Sequence, residues 1–178
     1  ALVEGGRCGE PDLEHRLLTV HRGREETLAL EVEEEALRRA HEVEVDFVQT
    51  GRTPGRDRSL RLGRLIGRIG DRFPPAPVAR SMTDGELLPG SNLRVHHTPG
   101  HTPGHCSLLH EPTGTLITGD AIWNMGSRRT WPVRAFCTDA ALTERTAATL
   151  ADLEYTTAAF THGPEIRGHQ SIEVLAQR

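Results

Sequence analysis

From about residue 80 onward, short apolar runs alternate with loops in which a glycine stands beside a histidine or an aspartate, and this punctuation constrains the fold more than any other feature. The runs are short and end in turn residues, which is how strands read. DGELLPG is a turn, a short strand and a turn, NLRVHH a strand, and TPGHTPG a loop. HCSLLH and TLITGD are two strands joined through Glu111-Pro112-Thr113-Gly114, a hairpin by its turn chemistry. Asp139 to Leu153 reads as a helix capped by Thr138 or Asp139, TTAAFTHG as a buried strand running into a loop, and a short helix closes the chain from Ser171. Strands and helices in mixed order predict an α/β layered domain, residues 1–178 forming one unit by the length prior.

The first half has a different grain. EETLALEVEEEALRRA, Glu25 to Ala40, predicts a helix, with Glu34–Arg38 and Glu35–Arg39 one turn apart in the favourable acid-first order. EVEVDFV alternates Val43, Val45 and Phe47 against Glu42, Glu44 and Asp46, which predicts a half-buried strand. Thr50 to Gly55 is a loop. Leu62, Leu65, Ile66, Ile69 and Phe73 then recur at helical spacing, with Arg61, Arg64, Arg68 and Arg72 along another face, and PPAPV ends the helix. Gly63, Gly67 and Gly70 each weaken that helix by about 1 kcal/mol relative to alanine. Its basic side is a solvated face or, in a functional reading, a lid or a patch for an acidic substrate. Leu62, Leu65 and Ile66 would equally suit an apolar pocket.

Bulk properties narrow the function. A formal charge of −4 and a pI near 6.2 give no global reason to bind nucleic acid, and no apolar run is long enough for a membrane helix. No signal-peptide pattern opens the chain, so a cytoplasmic location is expected. Cys8, Cys106 and Cys137 are widely spaced and form neither a disulfide framework nor a cysteine zinc site. All 21 basic residues are arginine, a pattern of codon bias rather than of function. The histidines are the unusual feature: His96, His97, His101, His105, His110 and His162 lie in the second half, beside glycines and prolines.

The segment VHHTPGHTPGH, followed by LITGD and later by FTHGP, resembles the metallo-β-lactamase superfamily from roughly Asp84 to Gly168. The resemblance implies an α/β fold, a metallo-β-lactamase-like αββα sandwich, here with a shortened N-terminal part. It also implies three metal ligands: His101 in TPGHT closing the first zinc site, Asp120 in TGD bridging two metals, and His162 in THGP serving the second. Imidazole and carboxylate are ordinary ligands of catalytic zinc, and each of these residues follows a β run beside a glycine. Taken singly, each is an ordinary loop residue. The ordered set is what points to zinc as cofactor, as one or two divalent ions. His96, His97, His105 and His110 read as supporting or surface residues, His105 being best placed to orient the loop that holds His101.

The superfamily's H-x-H-x-D-H motif is absent. Laid over LLTVHRGREE, its first histidine falls on His21, its second on Gly23, its aspartate on Glu25 and its third histidine on Glu26, with Arg22 and Arg24 repelling a cation. The expected activity is hydrolysis of an ester, thioester, lactone or phosphoester small molecule by a zinc-bound hydroxide, with Asp120 as the catalytic anchor of the metal. The alternative is a metal-free binding or oligomerisation module that keeps the fold without the chemistry. Loss of outer strands would expose a sheet edge, so a homodimer is also expected, its contact near residues 1–20 and a strand Val43–Val48.

Overall fold

The computed structural model describes residues 38–69, 72–126 and 128–168. The expected helix at Glu25–Ala40 lies mostly outside these residues, as do His21, Glu25 and the closing helix at Ser171. Only its end is visible, and there Arg39–His41 is a strand, β1, paired in parallel with β2, Arg80–Met82. Thereafter come α1 (Val45–Thr50), α2 (Arg61–Ile69), β3 (Leu87–Leu88), β4 (Leu93–His97), β5 (Cys106–His110) and β6 (Thr115–Ile117). The chain continues through β7 (Trp123–Asn124), β8 (Arg129–Thr130), α3 (Ala140–Thr149), β9 (Thr157–Ala159) and β10 (Ile166–Arg167).

The main sheet has the order β10-β9-β6-β5-β4-β3. Every neighbouring pair is antiparallel except β6 and β9, which run parallel with Leu116 opposite Ala158. A parallel pair needs a long crossover, and α3 lies in it. Asp139 starts α3 by accepting the Leu142 N–H at 2.8 Å, and Ala140, Thr143 and Ala147 form its buried stripe. Leu116 and Ala158 of the sheet, Ala147 of α3, and Ala121, Ile122, Leu150 and Tyr155 make the core, with Leu109, Trp131, Leu153 and Phe160 packed around it. Leu116, Ile122 and Leu150 are fully enclosed and contribute about 1.5–3 kcal/mol each. The mixed helix-and-sheet fold is the one expected, and the strands and hairpin of the second half stand where the turn residues placed them.

Two expectations fail in the first half. EVEVDFV is not a strand: a 3₁₀ turn at Glu42–Glu44 leads into α1. The reason is the partner strand. β1 pairs residue for residue with β2 only as far as His41 opposite Met82, so nothing remains to extend the ladder. Val43 is 45% exposed, so the alternation has no buried face to serve. The chain turns instead, and the Glu44 carboxylate accepts the Gly104 N–H at 2.7 Å. No strand edge is therefore offered at residues 43–48 for the expected dimer contact. α2, for its part, ends at Ile69, leaving Phe73 outside it, and its Leu62 and Leu65 are 55% and 58% exposed.

Candidate metal centre

His101, Asp120 and His162 come together at one end of the main sheet, each delivered by a loop that follows a strand. The loop after β4 carries His101. It is seated on the start of α3, where Asp139 N–H bonds to Gly100 O at 2.8 Å, Thr138 N–H to His101 O at 3.0 Å, and Thr146 Oγ1–H to Pro99 O at 2.8 Å. Gly100 has φ +132° and lies so close to α3 that a Cβ there would stand 2.2 Å from Thr143 N. That contact explains the TPG before His101. The loop after β9 carries His162 and is pinned by Asn124, which is 2% exposed. Asn124 N–H bonds to His162 O at 2.8 Å and Asn124 Nδ2–H to Pro164 O at 2.7 Å, while Asn124 Oδ1 accepts the Gly126 N–H at 3.2 Å. Gly163 has φ +106°, and a Cβ on it would fall 1.6 Å from Asn124 O.

Asp120 stands in the 3₁₀ turn after β6. Its backbone N–H donates to His105 Nε2 at 2.9 Å, so His105 carries its own proton on Nδ1, facing Thr98 Oγ1 at 2.9 Å. Thr98 Oγ1 is 3.1 Å from Ser107 Oγ, and Ser107 donates to Thr118 O at 3.0 Å. One direction of donation satisfies the whole line: Asp120 N–H to His105, His105 to Thr98, Thr98 to Ser107, Ser107 to the Thr118 carbonyl. Burial pushes the His105 imidazole down to about 4, the neighbouring His101 adding to the effect, so it is neutral at ordinary pH and suited to accept that bond. His105 was expected to orient the His101 loop; its ring bonds Thr98 at the base of that loop and also holds the Asp120 backbone.

The Asp120 carboxylate faces both imidazoles. His101 Nε2 lies 3.8 Å from Oδ2, and His162 Nε2 lies 3.4 Å from Oδ1. Trp123 Nε1–H donates to Oδ1 at 2.9 Å and sets the carboxylate plane, and the Trp123 ring lies 4.4 Å from that of His162. On the far side of His101, Cys137 Sγ is 3.9 Å from Nδ1. Burial holds His101 below the ordinary imidazole value although Asp120 pulls it upward, so at neutral pH its ring is largely uncharged. Burial likewise pushes the Cys137 thiol up, which keeps it protonated and unreactive.

These separations test whether a cation suits the site. Both nitrogen–oxygen distances exceed a good hydrogen bond. They lie near the spacing of about 3.3 Å between two ligands of a tetrahedral ion with bonds of 2.0–2.1 Å. The donors thus fit a divalent cation in kind, one on each side of the carboxylate. Among the described residues each side has two protein donors, against three for a typical catalytic zinc, and no cluster of three metal-holding side chains occurs there. His96, His97 and His110 are directed elsewhere. His97 stacks on His41 with ring centres 3.9 Å apart, His110 bonds Thr113, and His96 lies on β4 outside the cluster. Asn124, Trp123 and the Thr98–Ser107 pair were not singled out in the sequence. Nothing in their immediate neighbours distinguishes a buried positioning amide from an ordinary strand residue.

Fold and site together define a class, α/β proteins that gather histidine and aspartate from loops at one end of a mixed sheet. The family model of the metallo-beta-lactamase superfamily matches residues 20–162, and the chain belongs to that superfamily, which includes hydrolases. It is 39% identical over 49 residues to the hydroxyacylglutathione hydrolase GloC of Haemophilus influenzae, covering 26% of this chain and 23% of that protein. It is 32% identical over 68 residues to the hydroxyacylglutathione hydrolase of Pseudomonas syringae pv. syringae, covering 37% and 26% respectively. The chain thus aligns with about a quarter of the length of these curated relatives. A solved B3 metallo-beta-lactamase with an active-site glutamic acid shares the fold at a TM-score of 0.50 and 15% identity, covering 78% of this chain and 55% of that one.

Proposed function

We propose that the chain contributes the carboxylate-centred half of a metal-dependent hydrolase site acting on an ester, thioester, lactone or phosphoester. The observation that carries this reading is Asp120 set between His101 Nε2 and His162 Nε2 at 3.8 and 3.4 Å. His101, Asp120 and His162 would hold the metal, with zinc the ion their donor chemistry suits. When bound, such an ion supplies Lewis acidity and a hydroxide at neutral pH. The protein's own work is positional. His101 offers an uncharged ring, its Nε2 directed at the carboxylate and its Nδ1 at Cys137. Trp123 fixes one carboxylate oxygen, and His105 fixes the backbone beneath it. The curated relatives with the hydroxyacylglutathione hydrolase name support an acyl substrate, a thioester in particular.

A second reading, a metal-free binding module, is favoured by the two-donor count on each side of Asp120. Zinc titration by calorimetry, with hydrolysis of a thioester and lactone panel measured in parallel, decides between them. The hydrolase reading expects zinc binding that weakens at least tenfold in Asp120→Asn, and turnover that chelator abolishes. Zinc binding unchanged by Asp120→Asn would overturn the assignment.

A further inference from the structure

A cavity of about 490 Å³ opens between residues 55–58 and α2, lined by Gly55, Arg56, Arg58, Gly63, Arg64 and Gly67. Among the described residues its lining is arginine and glycine. None of His101, Asp120 or His162 contributes to it. The glycines that weaken α2 have a purpose here. A Cβ at Gly63 would stand 2.3 Å from Asp57 O, and one at Gly67 would touch the Arg56 side chain at 3.6 Å, so their absence lets the helix approach the loop and leaves room between them.

Residues 52–72 hold seven arginines and two aspartates. Asp57, the acid next to Arg56 and Arg58, is committed to backbone donors: its Oδ1 accepts Ser59 N–H at 2.8 Å and its Oδ2 accepts Ala140 N–H at 3.3 Å. Among the described residues no carboxylate pairs with the exposed side chains of Arg58 or Arg64. Arg56 is anchored, its Nη1–H donating to Phe136 O at 2.6 Å.

The same segment joins this cavity to His101. Asp57 N–H donates to Cys137 O at 2.8 Å, and Cys137 Sγ lies 3.9 Å from His101 Nδ1. The wall that carries Arg56 is thus bonded to the residues that back His101. Guanidinium groups bind planar oxyanions through paired N–H donors, and two lining one space select multiple negative charge.

We propose that this cavity receives a compact, multiply charged oxyanion, a phosphate or a dicarboxylate, borne by the substrate whose acyl bond is cleaved at Asp120. The cleavage half of this inference rests on the hydrolase reading; the anion site stands apart from it. Calorimetric titration of the metal-free full chain with inorganic phosphate, and separately with succinate, tests the site. Wild type binds one of the two more tightly, which identifies the source of the oxyanion. The double variant Arg58→Gln/Arg64→Gln binds it at least tenfold more weakly, while Arg145→Gln, exposed on α3, leaves binding unchanged. Gly67→Leu fills the cavity without removing a charge and gives the same loss. No binding of either anion by wild type, or equal binding by the double variant, overturns the proposal. In the zinc-loaded chain, a thioester with a phosphate or dicarboxylate arm is then compared with its neutral counterpart. The charged-to-neutral ratio of kcat/KM falls at least tenfold in the double variant. Turnover without any charge preference overturns the substrate link, whereas anion binding without turnover of either thioester refutes the hydrolase reading alone.

Discussion

Replacing Asn124 by alanine should loosen the His162 edge of the site while leaving the fold intact. Asn124 is buried at 2% exposure and spends its side chain on two bonds, Nδ2–H to Pro164 O at 2.7 Å and Oδ1 from Gly126 N–H at 3.2 Å. Each is worth about 0.5–1.5 kcal/mol net, and a partner left without solvent costs about 1–3 kcal/mol. Both partners stand on exposed residues, so water can replace the lost bonds and the penalty does not add. The two bonds together come to about 1–3 kcal/mol, or a fall of about 2–12 °C in Tm at about 2–4 °C per kcal/mol. Urea and thermal melts followed by circular dichroism measure it. Asn124→Asp sharpens the comparison: it keeps an acceptor for Gly126 but sets a buried carboxylate against the Pro164 carbonyl, so it should be at least as destabilising. A loss under about 0.5 kcal/mol for Asn124→Ala, the size of an ordinary surface change, would refute the pinning role.

Three further outcomes follow. His105→Phe keeps the ring volume but leaves the Asp120 N–H and Thr98 hydroxyl without their partner, and should cost about 1–3 kcal/mol by urea denaturation. Gly100→Ala, forced by φ +132° and by the 2.2 Å approach to Thr143 N, should cost at least about 2 kcal/mol and weaken zinc binding through displacement of His101. His41, 5% exposed, is held below the ordinary imidazole value by burial and then by the facing His97. Folding therefore favours its neutral form. Its contribution is complete above about pH 6.5 and lost as pH falls below that. Urea midpoints at pH 7.5 and 5.0 should show a smaller acid loss in His41→Asn than in wild type, and a larger one would reverse the sign of the argument.

The second half was legible because its turn chemistry is local. Gly114 and Pro112 place the β5–β6 connection, Asp139 announces α3, and the histidine-glycine and glycine-aspartate pairs mark where the sheet presents side chains. The first half was not, because its outcome depends on a partner. Val43, Val45 and Phe47 alternate as a strand would, but β2 offers only three residues to pair with, and the chain turns into α1. The site was legible in its donors and hidden in its supports. His101, Asp120 and His162 sit in recognisable motifs, whereas Asn124 and Trp123 act through contacts across the fold that no neighbouring residue announces. His105 was visible as a helper, yet which backbone it would hold depended on how β5 and β6 pair.

The parallel pairing of β6 with β9 also sets an order in time. Asp120 meets His105 as soon as the β5–β6 hairpin forms, a contact between chain neighbours that closes a small loop. His162 arrives only when the entire crossover through α3 has been drawn in and β9 has docked, a longer closure of higher entropic cost. The two sides of the carboxylate therefore mature separately. A chain caught midway owns the carboxylate and the His105 ring beneath it but not His162, and strand exchange at β9 between two copies would lend each the other's His162.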